Sequence, residues 1–571
     1  MMQYDPPRRL NPTPPQDPLE IELVYNLRSC GTCQFFWPPD SPQPYGPYPA
    51  YDFLSNTPTE APARKTGSSF VWIQGTTRPQ TFPDPEVMDG CRKAPIMTIG
   101  INPNLTAFAS GKTGASWCYP SFSSADGTDS WTKYAYYYRY RSVYQEHFAL
   151  KFIEPFLLPD GRITAPKSGV MKEFSRASDD PAFEIRVQYD GDANVSSLHL
   201  PGTLGGPRYV VLVDAGEKFA KGDPLAARLT VPTGLRANVY AEPIGYYTQM
   251  LPVLQTFETF LKQKGHADAA LRIGEDVGQV DMIACATPHW GPPWLGGNSQ
   301  SVNTIISNCV NKNAWAMKQL VQTKPAIVFL VGQSSWNMFR QSFGDLLVTK
   351  TPLPKLPEDG PYTLLRMTTQ QECRLEFSTK VDGHAYALST RIIITPHFSY
   401  NENFIPQFRM NPQMFMAFGK QYPAVADFLQ KDPRLGFQAP AGSFVVVGIL
   451  KDAPAVMADL KAKDPSAAAE LMQCFYDPHN MMAIVLEQMY AQGHLAYTSP
   501  TRGNAGFLTR GSGPCEFCIN HRWSFPKGCP YGKPDEKKYP VGFLEKVTDV
   551  MTNGRAVSSV HEVAPPSSPT D

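Results

Sequence analysis

The sequence predicts an α/β fold in which a central parallel four-stranded sheet lies between helices in a three-layer α/β/α arrangement. Four short runs are apolar at nearly every position, as expected of strands covered on both faces, and helical patterns lie between them. The runs are Ile96–Gly100, Val280–Ala286, Ala326–Gly332 and Arg391–Pro396. A β-rich insertion and a helical, cysteine-rich C-terminal addition complete the predicted fold.

Two segments before these strands have helical periodicity. Gln249–Lys264 predicts a helix before the second strand, and Asn303–Gln322 predicts a single helix before the third. The apolar side chains near one stripe of the longer segment are Ile306, Val310, Met317 and Val321. This periodicity is typical of helices that pack against a sheet.

The remaining segments differ in composition. Residues 1–22 are rich in proline, and residues 562–571 form a Pro/Ser tail that we expect to be disordered. The core is predicted over residues 23–410, interrupted by a β-rich insertion at about 155–240 that includes Arg208–Asp214 and Ala227–Val231.

A helical addition is predicted over residues 411–500, followed by a cysteine-rich segment at 501–561. Ala453–Cys474 and Met481–Gln492 are its clearest helical runs.

Charge and hydropathy limit the classes of partner. Lys plus Arg equals Asp plus Glu at 52 each, so attraction to nucleic acid requires a local basic patch. The chain has no apolar run long enough to span a membrane, and its first residues lack the apolar stretch of a signal peptide. We therefore expect a cytoplasmic protein without a membrane partner.

The 11 cysteines favour metal binding over disulfides, because the cytosol keeps thiols reduced. Cys30 and Cys33 form one C-x2-C pair, and Cys91 could complete a zinc site with them. Cys515 and Cys518 form a second pair. The further ligands considered for this second site are Cys529, with Cys91, His521 or Cys474 as the fourth. Cys118 and Cys373 are interpreted as packing residues.

The first strand ends in Gly100-Ile101-Asn102-Pro103-Asn104, which puts a polar side chain at the edge where parallel sheets bind ligands. This segment resembles the first motif of the uracil-DNA glycosylase superfamily, with Asn104 in place of the usual last glycine. The resemblance implies that Asn102 positions the water that attacks C1′ of the sugar.

The fourth strand continues into Thr395-Pro396-His397-Phe398-Ser399-Tyr400, where this superfamily carries its second motif, commonly His-Pro-Ser. Pro396 matches, Thr395 occupies the usual histidine position, and His397 follows two residues later. His397 is therefore either the catalytic histidine or a structural one. The resemblance implies that this loop enters the minor groove, with Phe398, Tyr400 and Arg409 in contact with DNA.

The cysteines resemble those of the iron-sulfur branch of the superfamily. In that branch an N-terminal C-x2-C pair, a cysteine after the second strand and one on the next helix hold a 4Fe-4S cluster. The corresponding residues are Cys30, Cys33, Cys285 and Cys309. With the zinc alternative, Cys285 and Cys309 would be buried thiols.

Asp281 occupies the position at which the iron-sulfur branch has an asparagine that binds uracil. An ionised carboxylate only accepts hydrogen bonds, so it suits the amino group of cytosine better than uracil. The predicted substrate is a modified cytosine in foreign DNA, such as phage DNA, which would make the protein an antiviral defence enzyme. The alternative is that Asp281 caps the strand and the register is shifted by one.

Other contacts to DNA are predicted from rings and charges. Phe108, Trp117 and Tyr119 could stack on a flipped base, although core packing is the usual role of an aromatic ring. Arg139 and Arg141, within Lys133–Arg141, could contact phosphates or lie on a solvated helix face.

The resemblance as a whole implies a hydrolase that cleaves the N-glycosidic bond of a flipped base and leaves an abasic site, with a structural metal cluster. The expected partner is DNA, with no obligate protein partner. The alternatives are uracil excision in repair and a non-catalytic nucleic-acid-sensing module with the same fold.

Overall fold

The computed structural model describes most of residues 94–101, 249–285, 299–438, 444–449, 453–498, 506–510 and 542–553. Between residues 119 and 242 it describes the backbone of short strands. Isolated further positions are 23, 26, 27, 30, 50, 51, 88, 90, 290 and 540. Residues 1–22 and 562–571 lie outside the described residues.

The described strands up to the large sheet's last strand are β1 (Ala50–Tyr51), β2 (Ile96–Gly100), β3 (Tyr119–Pro120), β4 (Ala149–Ile153), β5 (Glu184–Arg186), β6 (Ser197–His199), β7 (Tyr209–Asp214), β8 (Arg236–Glu242), β9 (Val277–Asp281), β10 (Ile327–Val331), β11 (Leu347–Thr349), β12 (Cys373–Val381) and β13 (His384–Thr395). They are followed by β14 (Gln407–Met410), β15 (Leu435–Gln438), β16 (Val445–Ile449), β17 (Phe475–Tyr476), β18 (Leu495–Thr498) and β19 (Phe507–Arg510).

The described α-helices are α1 (Met250–Gln263), α2 (Ser299–Ile306), α3 (Trp315–Thr323), α4 (Gln333–Phe343), α5 (Gly360–Gln370), α6 (Pro412–Gln421), α7 (Pro423–Lys431), α8 (Ala453–Lys463), α9 (Pro465–Met472), α10 (Pro478–Ala491) and α11 (Phe543–Asn553). A π-helical turn covers Ser307–Lys312, and 3-10 turns cover Gly344–Leu346 and Asn401–Phe404.

The large sheet is mostly parallel and has six strands in the order β11-β12-β13-β10-β2-β9. Strands β9, β2, β10 and β13 are parallel neighbours and correspond to the four predicted apolar runs. Strands β11 and β12 are antiparallel additions, so the predicted count of four strands is too low. The protein is therefore an α/β protein whose parallel sheet is extended at one edge.

The second strand is Val277–Asp281, earlier than the predicted Val280–Ala286. Its last residue, Asp281, is followed by a bend at Met282 and Ile283, which are buried, as is Ala284 after them. The apolar run therefore reflects burial of the bend as well as the end of the strand.

The unpredicted β12–β13 hairpin has a two-residue turn at Asp382-Gly383, and Val381 pairs with His384 across it. Both turn residues have positive φ, 47° and 83°. This backbone is the one that Asp-Gly favours in tight hairpins. The dipeptide between two alternating segments was therefore an available sequence signal for the extra strands.

The helix predicted at Gln249–Lys264 is confirmed as α1. The single helix predicted over Asn303–Gln322 is wrong, because α2 runs into the π-helical turn and α3 follows as a separate helix. Ala314, with φ of 50°, redirects the chain between them. A π-helical turn is rare and often lies at a functional position.

One face of the large sheet packs against α1, α5 and α10. Phe329 and Ile393 of the sheet share a hydrophobic core with Phe257 of α1, Leu365 of α5 and Leu486 of α10. Helix α4 contacts β10 and β13, α3 contacts β9, and α11 contacts α3 and β12. Within the described residues, none of the helices has the length and apolar character needed to cross a membrane.

Residues 411–500 contain strands as well as the predicted helices. Strands β15, β16, β14 and β17 form an antiparallel sheet whose core includes residues of α6–α9. Ala453–Cys474 contains two helices rather than one, because Asp464 caps the N-terminus of α9. The helix predicted at Met481–Gln492 is confirmed within α10.

The segment near 155–240 contains strands, as predicted. Strands β4, β8 and β7 form one sheet, and β5 pairs with β6. Strand β7 lies in the run Arg208–Asp214, whereas Ala227–Val231 lies outside the described residues.

Candidate functional site at the edge of the parallel sheet

The carboxyl ends of the four parallel strands meet at one edge of the sheet. Strand β9 ends at Asp281, which pairs with Gly100 at the end of β2. Strand β10 ends at Val331, which pairs with Thr395 at the end of β13. Since ligands of parallel sheets bind beyond such ends, this edge is the candidate site.

Asp281 lies beside the segment that leads to Asn102. Beyond Asp281, the backbone N–H of Met282 donates to the carbonyl of Gly100 at 3.1 Å, and that of Ile283 donates to Ile101 at 2.8 Å. The side chain of Asp281 is half-buried. Asn102 itself lies outside the described residues.

His397 follows β13 and is held in one tautomer. Its Nδ1 accepts a hydrogen bond from the backbone N–H of Ser399 at 3.2 Å, so the proton of the neutral ring lies on Nε2. Burial lowers the pKa of His397, which favours this neutral form. The ring can therefore donate one hydrogen bond from Nε2.

Tyr400 is the exposed aromatic residue next to His397. Its ring centroid lies 5.5 Å from that of His397, and 50% of the residue is exposed. It therefore has the exposure that the predicted contact to DNA requires.

The site extends from β9 to β13 across the ends of β2 and β10. Three strand spacings separate β9 from β13, a distance of roughly 14 Å between their backbones. Side chains that point inward from both sides can approach a planar ring from opposite edges. Asp281, with carboxylate acceptors, lies on the β9 side, and His397, with its Nε2–H donor, lies on the β13 side.

Two predicted contacts to DNA are corrected. Phe398 has no exposed surface and packs edge-on against Phe404, because its apolar ring turns into the core beneath the loop. Arg409 forms an ion pair with Asp359, with Nε donating to Oδ2 at 2.7 Å, and its guanidinium lies 3.7 Å from the ring centre of Tyr362. Both side chains stabilise the fold and do not reach outward.

The loop of residues 396–406 rests on side chains that the sequence did not single out. The side-chain amide of Gln249 donates to Oδ1 of Asn401, and His479 lies beside Gln249. Tyr362 donates to Oδ1 of Asn403 at 3.1 Å. These partners come from distant parts of the chain, and no local sequence motif predicts them.

Hydrogen bonds to sulfur link the segments that carry three of the predicted cluster cysteines. Cys309 lies on the π-helical turn, and its Sγ accepts from the backbone N–H of Ala284 at 3.3 Å, one residue before Cys285. The Sγ of Cys30 accepts from the side-chain amide of Asn313 at 3.7 Å, four residues after Cys309. N–H donors to sulfur are typical surroundings of cluster thiolates.

Within the described residues, no three His, Cys, Asp or Glu side chains form a group that could hold a metal ion. Cys33, the remaining cysteine of the predicted cluster, lies outside those residues. So do Cys91, Cys118, Cys515, Cys518, His521 and Cys529.

Cys373 and Cys474 are buried thiols. Burial raises the pKa of Cys373 to about 12 and also raises that of Cys474, which belongs to the core beneath β14–β17. These surroundings agree with the packing role predicted for Cys373 and favour the same role for Cys474.

The remaining predicted contacts are not described at the level of side chains. Phe108, Trp117, Arg139 and Arg141 lie outside the described residues, and Tyr119 is described only as backbone within β3.

No protein-family model, no curated protein and no solved structure matches the chain.

Proposed function

We propose that the protein is a DNA glycosylase that hydrolyses the N-glycosidic bond of a flipped base and leaves an abasic site. The proposal includes a three-layer α/β/α core of the uracil-DNA glycosylase type, with the large sheet in the middle. One observation carries it: Asp281, the segment entering Asn102 and His397 lie at the same edge of four parallel strands.

The proposed roles follow from the hydrogen-bonding groups of these side chains. Asn102 would hold the water that attacks C1′ of the sugar. The departing base gains negative charge on its ring, so a donor beside that ring lowers the barrier. The Nε2–H of neutral His397 is such a donor, and its exposed neighbour Tyr400 would fill the space left by the extruded nucleotide.

The base that best fits Asp281 is cytosine or a 5-substituted cytosine. The ionised carboxylate accepts from the amino group at C4, whereas uracil would present a carbonyl oxygen there. The corresponding biological role is removal of modified cytosine from foreign DNA. Uracil excision is the competing specificity, and the same assay distinguishes the two.

The proposed cofactor is a 4Fe-4S cluster held by Cys30, Cys33, Cys285 and Cys309. The N–H groups that point at the sulfurs of Cys309 and Cys30 suit deprotonated ligands. Hydrolysis needs no electron transfer, so the cluster would have a structural role. It would join the N-terminal segment to the π-helical turn. A second metal site, zinc or iron-sulfur, is proposed at Cys515, Cys518 and Cys529.

The test is release of free base from duplexes that contain uracil, cytosine or a 5-substituted cytosine at one position. The wild-type protein should release a cytosine derivative and leave an alkali-sensitive site. The Asn102→Ala variant should bind the same duplex but release base at least about 100-fold more slowly. DNA binding without release from any duplex would indicate the non-catalytic sensing module instead.

A further inference from the structure

Helices α1 and α10 are joined by hydrogen bonds at both ends. At one end Nε2 of His479, in the first turn of α10, donates to Oε1 of Gln249, just before α1, at 3.0 Å. At the other end Nε2 of His266 lies 2.7 Å from the hydroxyl of Tyr490. The two helices therefore run in parallel, and each end has its own histidine.

Among the described residues, the Gln249–His479 end is the one that continues into the 396–406 loop. The other half of the Gln249 amide donates to Oδ1 of Asn401. The ring of His479 also stacks on Phe404, with centroids 5.0 Å apart and planes 27° apart. The pair thus holds two residues of the loop, one by hydrogen bonding and one by ring contact.

The Gln249–His479 pair is buried, and its hydrogen-bonding groups have defined partners. Gln249 is only 6% exposed, and both polar atoms of its amide are used. Burial lowers the pKa of His479 to about 4, so the ring is neutral and donates through Nε2. Loss of either contact would leave a buried amide group without its partner, which is costly.

The inner side of the loop is fixed while its outer side carries the proposed chemistry. Asn401 and Phe404 face the helices, whereas Tyr400 is half exposed beside His397. Extrusion of a nucleotide costs a few kcal/mol of stacking and pairing, which a rigid loop can offset more effectively than a loose one.

We propose that Gln249 and His479 are positioning residues that hold the 396–406 loop for base extrusion. The inference rests on the proposed function and extends it. It makes α10, which follows the antiparallel sheet in the chain, a required support of the site. The pair acts through the loop and contacts neither the base nor the sugar.

The experiment compares single substitutions at the two ends of the helix pair. His479→Phe keeps a ring against Phe404 and removes the donor to Gln249, and Gln249→Met removes the contact to Asn401. His266→Phe is the matched control, because it removes the hydrogen bond to Tyr490 from the same two helices. His479→Gln keeps a donor and tests rescue.

Two readouts are measured: hydrogen–deuterium exchange of the backbone amides of the 396–406 loop, and base release in a single turnover. His479→Phe and Gln249→Met should speed exchange in the loop, leave exchange in α1 unchanged, and slow release by about 10-fold to 100-fold with DNA affinity nearly constant. The control should match wild type, and His479→Gln should recover part of the rate.

Loop exchange and release equal to those of the control would overturn the inference. Absence of base release by the wild-type protein on every duplex would instead remove the proposed function. In that case the exchange data still test whether Gln249 and His479 hold the loop. Unchanged loop exchange in His479→Phe and Gln249→Met overturns that part of the inference, and faster exchange retains it.

Discussion

The ring of His397 lies directly over Gly332. A Cβ on Gly332 would come within 3.0 Å of Cδ2 and 3.3 Å of Cβ of the histidine. Gly332 also has φ of 86° and ψ of 160°, a backbone conformation that is essentially limited to glycine. The end of β10 therefore needs a residue without a side chain to accommodate His397.

Gly332→Ala should disturb His397 as well as the backbone. The strained conformation costs about 1–3 kcal/mol of stability, and the contact with the ring adds to this cost. Thermal unfolding and single-turnover base release measure both effects. Gly265→Ala is the control, because Gly265 has φ of 99° but open space around it. Equal losses of stability and rate in the two variants would contradict the proposed approach of His397.

Asp281→Asn should change the preferred base. The amide can donate to a carbonyl at C4, so release of uracil relative to cytosine should rise by about 10-fold or more. Competition between the two duplexes measures the ratio. Asp268→Asn, at an exposed turn after α1, should leave the ratio unchanged. An unchanged ratio in Asp281→Asn would mean that this residue does not contact the base.

Arg409→Ala should destabilise the protein without weakening the contacts of the protein to DNA phosphates. Removing one partner of the buried pair with Asp359 leaves a charge uncompensated, which costs about 3–5 kcal/mol. Denaturant unfolding measures this loss, and the salt dependence of DNA binding should retain its slope. Lys431→Ala, which breaks an exposed pair with Asp427, should have a much smaller effect. A reduced salt slope at full stability would restore Arg409 as a contact to DNA.

The protein should lose stability as the pH falls from about 6.5 to about 4. Burial lowers the pKa of His479 to about 4 and lowers that of His397 as well, so protonation favours the unfolded state. For His479 the effect reaches roughly 3 kcal/mol at most. Burial raises the pKa of Asp477, whose protonation acts in the opposite direction.

Unfolding curves of wild type and His479→Phe across this pH range isolate the contribution of His479, since Asp477 is common to both proteins. The variant should lose less stability on acidification. Identical curves would show that His479 is not buried as a neutral ring.

Cys309→Ala should reduce bound iron and the absorption near 400 nm of the purified protein. The reason is that Cys309 lies on the π-helical turn beside the segment of Cys285. Cys373→Ala should retain the iron, because that thiol is buried within β12 and has a raised pKa. Iron content per chain measures the difference. Zinc in place of iron in the wild-type protein would contradict the proposed 4Fe-4S cluster.

Strands β2, β10 and β13 could be predicted because each contains a continuous apolar run, a pattern that depends only on local sequence. Strand β9 begins earlier than predicted, because most of the apolar run near it belongs to the buried bend that follows. The hairpin of β12 and β13 was also predictable in principle, since Asp382-Gly383 separates two alternating segments. By contrast, the antiparallel sheet of β14–β17 assembles from strands of two to five residues, too short to give a period.

The site was predictable only in part. His397 could be assigned to this edge because it follows a predicted parallel strand. The role of Asp281 came from the resemblance alone, because the predicted strand Val280–Ala286 begins beside Asp281, whereas β9 ends there. Arg409 was misassigned because its partner, Asp359, lies fifty residues away in the chain, and Phe398 because an apolar residue in a loop can face either way. The support from Gln249 and His479 depends on packing of α1 against α10, which sequence periodicity does not specify.

Base excision at this edge of the parallel sheet is tested by measuring free base released from a duplex with one modified cytosine. Wild type should release the base and leave an abasic site. His397→Ala, which removes the Nε2–H donor, should release it at least about 100-fold more slowly at similar DNA affinity. Equal release by wild type and variant, or no release from any duplex, would show that this edge does not excise a base.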